Sequence, residues 1–300
     1  MTAASQKFEA HALTSSIGAE IRGVDLRQDL SDTAYTFIHQ AWLDHKVLLF
    51  RNQTLSDPQM VAFSRRFGEL DLAPIPGHGR TFVEGIPEMF VISNVEEDGH
   101  KIGSLGDGEC LWHTDMAYAE LPPKASCLYS LEVLSGEGDT GFLNMYEAYE
   151  SLPKELKDRI RGLTIKHDTQ YTLDGLDRNE GKPLWEAKAD GSFDVVTLPG
   201  TSHPIVRMHP ETLRPALYLG RRQNTYINGL PLNDSEALLD ALWAHTDTMG
   251  QSTFHHRWRV GDLLIWDNRC VMHRRDAFPP TSRRIMHRTQ IRSDLAPAAA

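Results

Sequence analysis

The sequence predicts a mainly β protein with flanking helices and a jelly-roll core. Most segments rich in β-branched or aromatic residues are short, and each is bounded by glycine, proline, asparagine or aspartate, as strands are. Apolar residues at helical spacing are confined to a few segments, and no internal repeat is present. Many short strands with a few helices outside them favour a jelly-roll barrel over a doubly wound sheet.

Helix signals occur in three long segments, at about residues 32–45, 57–67 and 235–245. Ser31 is the candidate N-cap of the first helix, and the capping pattern Ser56-x-x-Gln59 precedes the second. A short helix is expected after Ser151, with Pro153 in its first turn.

The rest of the chain reads as strands and loops. The predicted strands are Val47–Arg51, Phe90–Ser93, Cys127–Leu131, Ile205–Met208, Ala216–Leu219, Leu263–Trp266 and Ile285–Ile291. Residues 1–300 are expected to form a single domain, with long loop or lid insertions at about 73–110 and 168–193 that could cover a site.

The composition excludes some classes of protein. The net charge of −10 argues against binding to nucleic acid, and any bound anion must be met by a local cluster of basic residues. The apolar runs are short and the amino terminus lacks a signal-peptide pattern, so we expect a cytoplasmic protein without membrane contact. The three cysteines include no CxxC pair and indicate no thiolate zinc site. A homo-oligomer is expected.

The tripeptide His-Thr-Asp occurs twice. In an extended chain residues i and i+2 point the same way, so His113 and Asp115 could bind one metal ion. Two histidines and one carboxylate are the ligand set of non-haem iron oxygenases. The second copy, His245-Thr246-Asp247, closes a predicted helix, where these side chains would diverge, and we interpret it as a helix end.

A third ligand must come from elsewhere, and His273, shortly after a predicted strand, is the best candidate. Taken alone, His273 is more often a structural histidine, and Arg284 with Arg288 could form surface ion pairs. Because these arginines follow a candidate ligand closely, they also fit clamps for carboxylates.

In these motifs the chain resembles the taurine dioxygenase and 2,4-dichlorophenoxyacetate dioxygenase family of 2-oxoglutarate-dependent oxygenases. The matching motifs span nearly the whole chain: Gly18-Ala19-Glu20-Ile21, Phe63-Ser64-Arg65-Arg66-Phe67-Gly68, Trp112-His113-Thr114-Asp115, Gly138-Asp139-Thr140, His203-Pro204, His209-Pro210, Trp266-Asp267-Asn268-Arg269, His273 and Arg283-Arg284-Ile285-Met286-His287-Arg288. The resemblance implies a double-stranded β-helix, which is a jelly roll.

The resemblance also implies the roles of individual residues. It assigns His113, Asp115 and His273 to Fe(II), and Thr140 with Arg284 to the distal carboxylate of the co-substrate 2-oxoglutarate. Arg288 corresponds to an arginine that meets the acidic group of the substrate. Beside this correspondence, Arg221 or Arg222 is a candidate to help bind that group. Dioxygen is the second co-substrate, and succinate and CO2 are the expected products.

Departures from the family pattern narrow the substrate. Ala73 and Glu109 stand where taurine dioxygenase has a histidine and an asparagine, and a carboxylate at Glu109 would repel a sulfonate. The segments from His209 to Arg222 and from Trp266 to Arg274 look closer to the aryloxyalkanoate oxygenases. Hydroxylation of an aliphatic C–H in a small aryloxyalkanoate-like carboxylate is therefore favoured. The alternatives are an alkylsulfonate dioxygenase, another metal-dependent enzyme on the same barrel, and a non-catalytic binding protein. Trp112, His78 and Tyr118 could line the pocket.

Overall fold

The computed structural model describes residues 7–73, 82–108, 110–172, 175–177, 181–189, 191 and 193–300. The helices in these ranges are α1 Asp32–His45, α2 Asp57–Arg65, α3 Met145–Glu150, α4 Lys154–Ile160, α5 Leu184–Ala189 and α6 Leu232–Asp247. The strands are β1 Glu9–Ala12, β2 Ala19–Arg22, β3 Val47–Phe50, β4 Phe82–Val83, β5 Ile86–Ser93, β6 Glu96–Glu97, β7 His100–Lys101, β8 Ser104–Leu105, β9 Cys110–His113, β10 Ala125–Glu132, β11 Thr140–Asn144, β12 Thr164–Asp168, β13 Gly200–Pro204, β14 Val206–Met208, β15 Pro215–Leu217, β16 Tyr226–Ile227, β17 Thr253–His256, β18 Leu263–Asp267, β19 Val271–Arg275, β20 Ile285–Ile291 and β21 Ala298–Ala299.

Two sheets form the core of the fold. The larger has nine strands in the order β1-β2-β3-β18-β10-β20-β5-β4, with β8 paired to β5, and the smaller has the order β17-β11-β19-β9. They share a hydrophobic interior, in which Trp266 of the large sheet lies 4.8 Å, between ring centroids, from His273 of the small sheet. The chain passes from one sheet to the other between β18 and β19, which confirms the predicted jelly roll.

Strand β3 is apolar at every position, with no polar residues in alternation. Val47 and Leu49 point into the interior between the sheets, whereas Leu48 and Phe50 point to a second core on the other face. Helices α1 and α2 close that second core. Because both faces of the large sheet are covered at β3, this strand is apolar at every position.

The helix predictions agree closely with the structure, apart from the shortest helices. Helix α1 has the predicted bounds, with the Ser31 side chain accepting a hydrogen bond from the Ala34 backbone N–H. Helix α2 ends two residues before the predicted end, and α6 begins three residues before the predicted start. Helices α3 and α5 were not predicted, because six residues are too few to show a helical period.

None of the helices in the described ranges combines the length and the apolar character that crossing a bilayer requires.

Candidate metal centre and active site

Strands β9 and β19 bring the predicted metal ligands together. These strands pair antiparallel with His273 opposite His113, so the two imidazole rings lie side by side with centroids 4.2 Å apart. Asp115 follows β9 by two residues, and its Oδ1 lies 3.8 Å from Nε2 of His113 and 3.9 Å from Nε2 of His273. Two imidazole nitrogens and one carboxylate oxygen thus converge on one point, as a facial metal site requires.

The surrounding chain fixes the orientation of these ligands. His113 Nδ1 is 2.7 Å from the backbone carbonyl of Leu111, which leaves Nε2 for a metal. The Asp115 backbone is held by the side chain of Asn268, which accepts from the N–H at 2.9 Å and donates to the C=O at 3.0 Å. The Ser126 hydroxyl donates to Asp115 Oδ2 at 2.8 Å, so Oδ1 is the oxygen that faces the histidines.

The electrostatics of the site favour the protonation states that metal binding needs. Burial alone would raise the pKa of Asp115, but the charges of Arg288, His273 and His113 and the Ser126 hydroxyl hold this pKa below its usual range. Burial lowers the pKa of His273 to about 3, with a further contribution from His113, and burial also lowers the pKa of His113. The carboxylate is therefore charged and both imidazoles are neutral near pH 7.

Arg284, which directly precedes β20, is 3% exposed. Its Nε is buried and has no hydrogen-bond partner in the described part of the chain. Burial, followed by the charge of Arg275, lowers the pKa of Arg284 to about 9. Gly138 gives the side chain room, because a Cβ there would lie 3.1 Å from Arg284 Nε. A buried cation of this kind fits a bound carboxylate.

Thr140 on β11 is the second residue predicted to bind the co-substrate. It is buried, and its hydroxyl oxygen accepts a hydrogen bond from Trp258 Nε1 at 2.9 Å. Because that bond occupies an acceptor position, the hydroxyl proton is directed elsewhere and can be donated to a carboxylate. Trp258 was not singled out from the sequence, since it is remote from Thr140 in the chain.

The two predicted substrate arginines have different surroundings. Arg288 on β20 lies at the metal centre, with its Nη1 3.2 Å from Asp115 Oδ1. Arg221 is engaged by other groups, because its Nη2 donates to Asp168 Oδ2 at 3.0 Å and to the Tyr171 carbonyl at 2.8 Å. Its charge still contributes to the lowered pKa of His113. The role of Arg221 with substrate stays a prediction.

The remaining candidates lie at the edge of the site or outside it. Arg222 pairs with Glu236 and Asp240 of α6. Trp112 packs against the core beneath the guanidinium of Arg274, whose Cζ is 5.4 Å from the ring centroid. The predicted pocket residue His78 and the charge at Glu109 lie outside the described residues.

A jelly roll that presents two histidines and one carboxylate on adjacent strands is the arrangement of non-haem Fe(II) oxygenases. The model of the family "Taurine catabolism dioxygenase TauD, TfdA family" matches residues 9–290. The chain belongs to this family, and it is an Fe(II)- and 2-oxoglutarate-dependent dioxygenase.

Similar proteins cover nearly the whole chain. The "(S)-phenoxypropionate/alpha-ketoglutarate-dioxygenase" of Sphingobium herbicidovorans is 33% identical over 99% of this chain and 99% of its own length. The "Alpha-ketoglutarate-dependent sulfate ester dioxygenase" of Pseudomonas putida is 34% identical over 89% of this chain and 83% of its own. The crystal structure of AAD-2 in complex with Mn(II) and N-oxalylglycine has a TM-score of 0.75 and 26% identity, covering 97% of this chain and 100% of that one.

Next to the metal ligands lies a buried histidine that the sequence did not single out. His167 on β12 packs between His203 and Tyr218, with ring centroids 5.6 and 5.7 Å away, and neither of its ring nitrogens has a hydrogen-bond partner among the described residues. Gly220 makes room for it, because a Cβ there would lie 2.3 Å from His167 Cε1. The Gly220 carbonyl accepts from the N–H of Thr114, between two metal ligands.

His167 should make the protein sensitive to acid. Burial, followed by the charges of His203 and Arg221, lowers the pKa of His167 to about 3, whereas an unfolded histidine titrates near pH 6.5. Below pH 6.5 the unfolded state therefore binds more protons, and the free energy of unfolding falls until the pH approaches 3. At pH 5 the loss from this one residue is about 2 kcal/mol.

The measurement is a urea titration of the wild type and of His167→Phe at pH 7.5 and pH 5. The variant is expected to lose about 2 kcal/mol less than the wild type between these pH values. His100→Phe, at an exposed position, is the control for removing a histidine. Equal losses in the wild type and in His167→Phe would show that His167 does not stay neutral in the folded protein.

Proposed function

We propose that the protein hydroxylates an aliphatic C–H of a small organic anion, and that an aryloxyalkanoate-like carboxylate is the favoured substrate. The observation that carries this proposal is the position of Arg288, a guanidinium with a largely buried side chain next to the metal-binding carboxylate of Asp115. When bound, Fe(II) and 2-oxoglutarate supply, with O2, the oxidation that converts C–H to C–OH and yields succinate and CO2.

The residues of this chain would bind and orient the reactants. His113, Asp115 and His273 would hold the metal, while Arg284 and Thr140 would hold the distal carboxylate of 2-oxoglutarate. The protein's contribution is to place the C–H near the metal and to exclude water.

The location of Arg288 limits which C–H can react. Its Nη1 lies 3.2 Å from a ligand oxygen of the metal site, so a substrate anion on the same guanidinium would have its α-carbon beside the metal. In an aryloxyalkanoate that carbon also bears the ether oxygen, and its hydroxylation gives a hemiacetal that breaks down with cleavage of the ether bond. The named activity of the relative from Sphingobium herbicidovorans on phenoxypropionate supports this substrate class.

A sulfate ester or alkylsulfonate is the second candidate. It is favoured by the similarity to the sulfate ester dioxygenase of Pseudomonas putida. In both candidates the anionic group would meet Arg288, and the two differ in the shape and charge distribution of the acid.

The test is a screen of aryloxyalkanoates, alkylsulfonates and sulfate esters for substrate-dependent succinate release with Fe(II), 2-oxoglutarate and ascorbate. We expect the largest release with an aryloxyalkanoate. A best substrate without an acidic group would contradict the role of Arg288, and no succinate with any of these acids would contradict the substrate class.

Replacement of Arg288 by glutamine is expected to lower kcat/KM for the best acid by about a hundredfold, since losing one partner of a buried charge pair costs about 2–5 kcal/mol. Because Arg288 also contacts Asp115, the variant is assayed on the acid and on its primary amide, which separates substrate docking from damage to the metal site. Arg292→Gln, with a half-exposed side chain paired to Glu69, is the control. An unchanged preference for the acid over the amide would show that Arg288 does not recognise the anion.

We also propose that residues 1–300 form one domain in which parts of the segments 73–110 and 168–193 cover the site. The expected insertion at 73–110 is wrong for residues 86–93, because these form strand β5 of the large sheet. Leu105, in the first of these segments, supports this view because its carbonyl accepts a hydrogen bond from Arg275, two residues after the metal ligand His273. A homo-oligomer in the cytoplasm remains a prediction, to be checked by light scattering and cell fractionation.

A further inference from the structure

A second buried arginine lies beside Arg284. Arg275, on β19, is 7% exposed, and its Nε is buried with no hydrogen-bond partner among the described residues. Its Cζ lies 5.5 Å from the ring centroid of Phe278, and the Cζ of Arg284 lies 5.8 Å from the same centroid. Two guanidinium groups are therefore gathered around one aromatic ring.

The strand register places Arg275 on the side of the small sheet that carries the metal ligand His273. Residues two apart on a strand share a face, so Arg275 points the same way as His273. On β11 its direct partner is Thr140. Side chains of directly opposed residues have Cβ atoms about 4.5–5.5 Å apart, so Arg275 is a neighbour of Thr140.

Thr140, Arg275, Phe278 and Arg284 thus form one group, which we call the arginine pocket. Among the residues that the structure describes, its charges do not balance. The carboxylate whose charge acts on Arg284 is that of Asp139, which is itself buried. Two guanidinium groups facing one carboxylate leave an excess positive charge, and a second carboxylate from a ligand would neutralise it.

We propose that Arg275 is a specificity-determining residue of the co-substrate site, which together with Arg284 makes the arginine pocket select a 2-oxo acid that carries a distal carboxylate. The family resemblance assigned Arg284 and Thr140 to this carboxylate and gave no role to Arg275. The inference rests on that proposed assignment and extends it.

Arg275 acts as a positioning residue, through its charge and through the backbone. One of its Nη atoms donates to the carbonyl of Leu105 at 2.8 Å and to that of Gly108, so the residue also ties down the segment that leads into β9. A purely structural role would consist of these backbone bonds alone. The two roles differ in their dependence on the distal carboxylate of the ligand.

The experiment compares two probes that would chelate a metal through the same atoms. N-oxalylglycine carries a carboxymethyl group on its amide nitrogen, and N-methyloxamate has a methyl group in its place and so lacks the distal carboxylate. Each is titrated calorimetrically into the Mn(II)-loaded protein without substrate, and the ratio of the two affinities measures the selection of the distal carboxylate. Because no turnover is involved, the result does not depend on the identity of the primary substrate.

Arg275→Gln is expected to weaken N-oxalylglycine binding by about tenfold and to leave N-methyloxamate within about twofold of wild type. Glutamine removes the charge, and its shorter side chain also gives up the Nη bonds to the Leu105 and Gly108 carbonyls. Loss of those backbone bonds alone would affect both probes alike, so a selective loss of N-oxalylglycine binding reports on the charge. Equal weakening of both probes, or of neither, would overturn the proposal.

Arg275→Lys provides an independent check that does not require the glutamine variant to fold. Lysine keeps the charge and loses the planar fork, so the affinity ratio should stay within about threefold of wild type. A complete loss of the ratio in this variant would show that charge is not its source. Arg283→Gln, half exposed and paired with Glu132, is the control for removing one positive charge nearby.

Arg284→Gln separates this inference from the assignment on which it rests. If Arg284→Gln lowers the affinity ratio and Arg275→Gln does not, the assignment of Arg284 stands and the role of Arg275 is wrong. If Arg284→Gln leaves the ratio unchanged, both the assignment and the inference are wrong.

Discussion

Replacement of Asp115 by alanine is expected to abolish turnover and to weaken metal binding by more than about a hundredfold. Loss of a residue that merely supports a metal ligand already costs about 10- to 100-fold, and Asp115 is itself a proposed ligand. The variant also leaves the guanidinium of Arg288 buried without its carboxylate partner. The positive charge of Arg288 would then repel the metal cation, with no carboxylate nearby to attract it. The measurements are Mn(II) affinity by calorimetry and succinate release under Fe(II).

The chain contains its own control for this prediction. Asp247 ends the second His-Thr-Asp tripeptide, which lies at the end of α6. Asp247→Ala is expected to leave metal affinity and turnover unchanged. Loss of metal affinity in the Asp247 variant, with retention in the Asp115 variant, would reverse the assignment of the site. Circular dichroism of both variants shows whether any loss arises from unfolding.

Local signals allowed much of the fold to be predicted from the sequence. The cap Ser31 and the apolar period of α1 lie within one helix, so the sequence contains all the information needed to place it. The same holds for β20, whose observed bounds equal the predicted ones. Helix α5 was missed because it buries no residue and so has no apolar face to detect.

The proposed metal ligands, which the structure brings together, could be singled out because each carried a local signal. His113 and Asp115 stand two apart at the end of a strand, and His273 follows a strand at a spacing from the arginines that the family shares. The second tripeptide was predicted to end a helix, and the structure confirms this, because the helical period around it is also local.

The groups that support the site could not be predicted, because their partners are distant in the chain. Trp258 meets Thr140 across more than a hundred residues. Ser126 is only 11 residues from Asp115, but their hydrogen bond depends on how β10 lies against the end of β9. Arg275 was overlooked for the same reason, because its position opposite Thr140 depends on the register between β19 and β11. Such contacts require the sheet order, which a single sequence does not specify.

A second cluster of ligand-type residues leads to the other large effect. His209, Asp267 and Cys270 have donor atoms within 4.8 Å of one another, and all three are buried. The Asp267 carboxylate, however, accepts from Arg269 Nε and Nη2, both at 2.8 Å, and from His209 Nε2 at 3.0 Å. Arg269 thus supplies the positive charge that a metal would supply at this position.

Arg269→Met is therefore expected to lower the free energy of unfolding by about 3–5 kcal/mol, as for a buried ion pair that loses one partner. Burial alone would raise the pKa of Asp267, and Arg269 with His209 holds it below the usual range. Urea titration gives the free energy, and Arg292→Met, which breaks an ion pair with Glu69 at the surface, should cost no more than about 1 kcal/mol. A loss below about 1 kcal/mol for Arg269→Met would show that the charge of Asp267 is compensated without Arg269.

Adding Asp267→Asn to Arg269→Met identifies the source of the loss. If the cost arises from an uncompensated buried carboxylate, removing that charge should restore part of the stability, so the two substitutions would not be additive. Additive losses would instead mean that packing of the Arg269 side chain, whose guanidinium lies 5.0 Å from the ring centroid of Trp42, dominates. The carboxylate of Asp115 differs from that of Asp267. Arg288 donates only one hydrogen bond to it, and two neutral imidazoles face it, so its Oδ1 and the two histidine nitrogens can bind a metal.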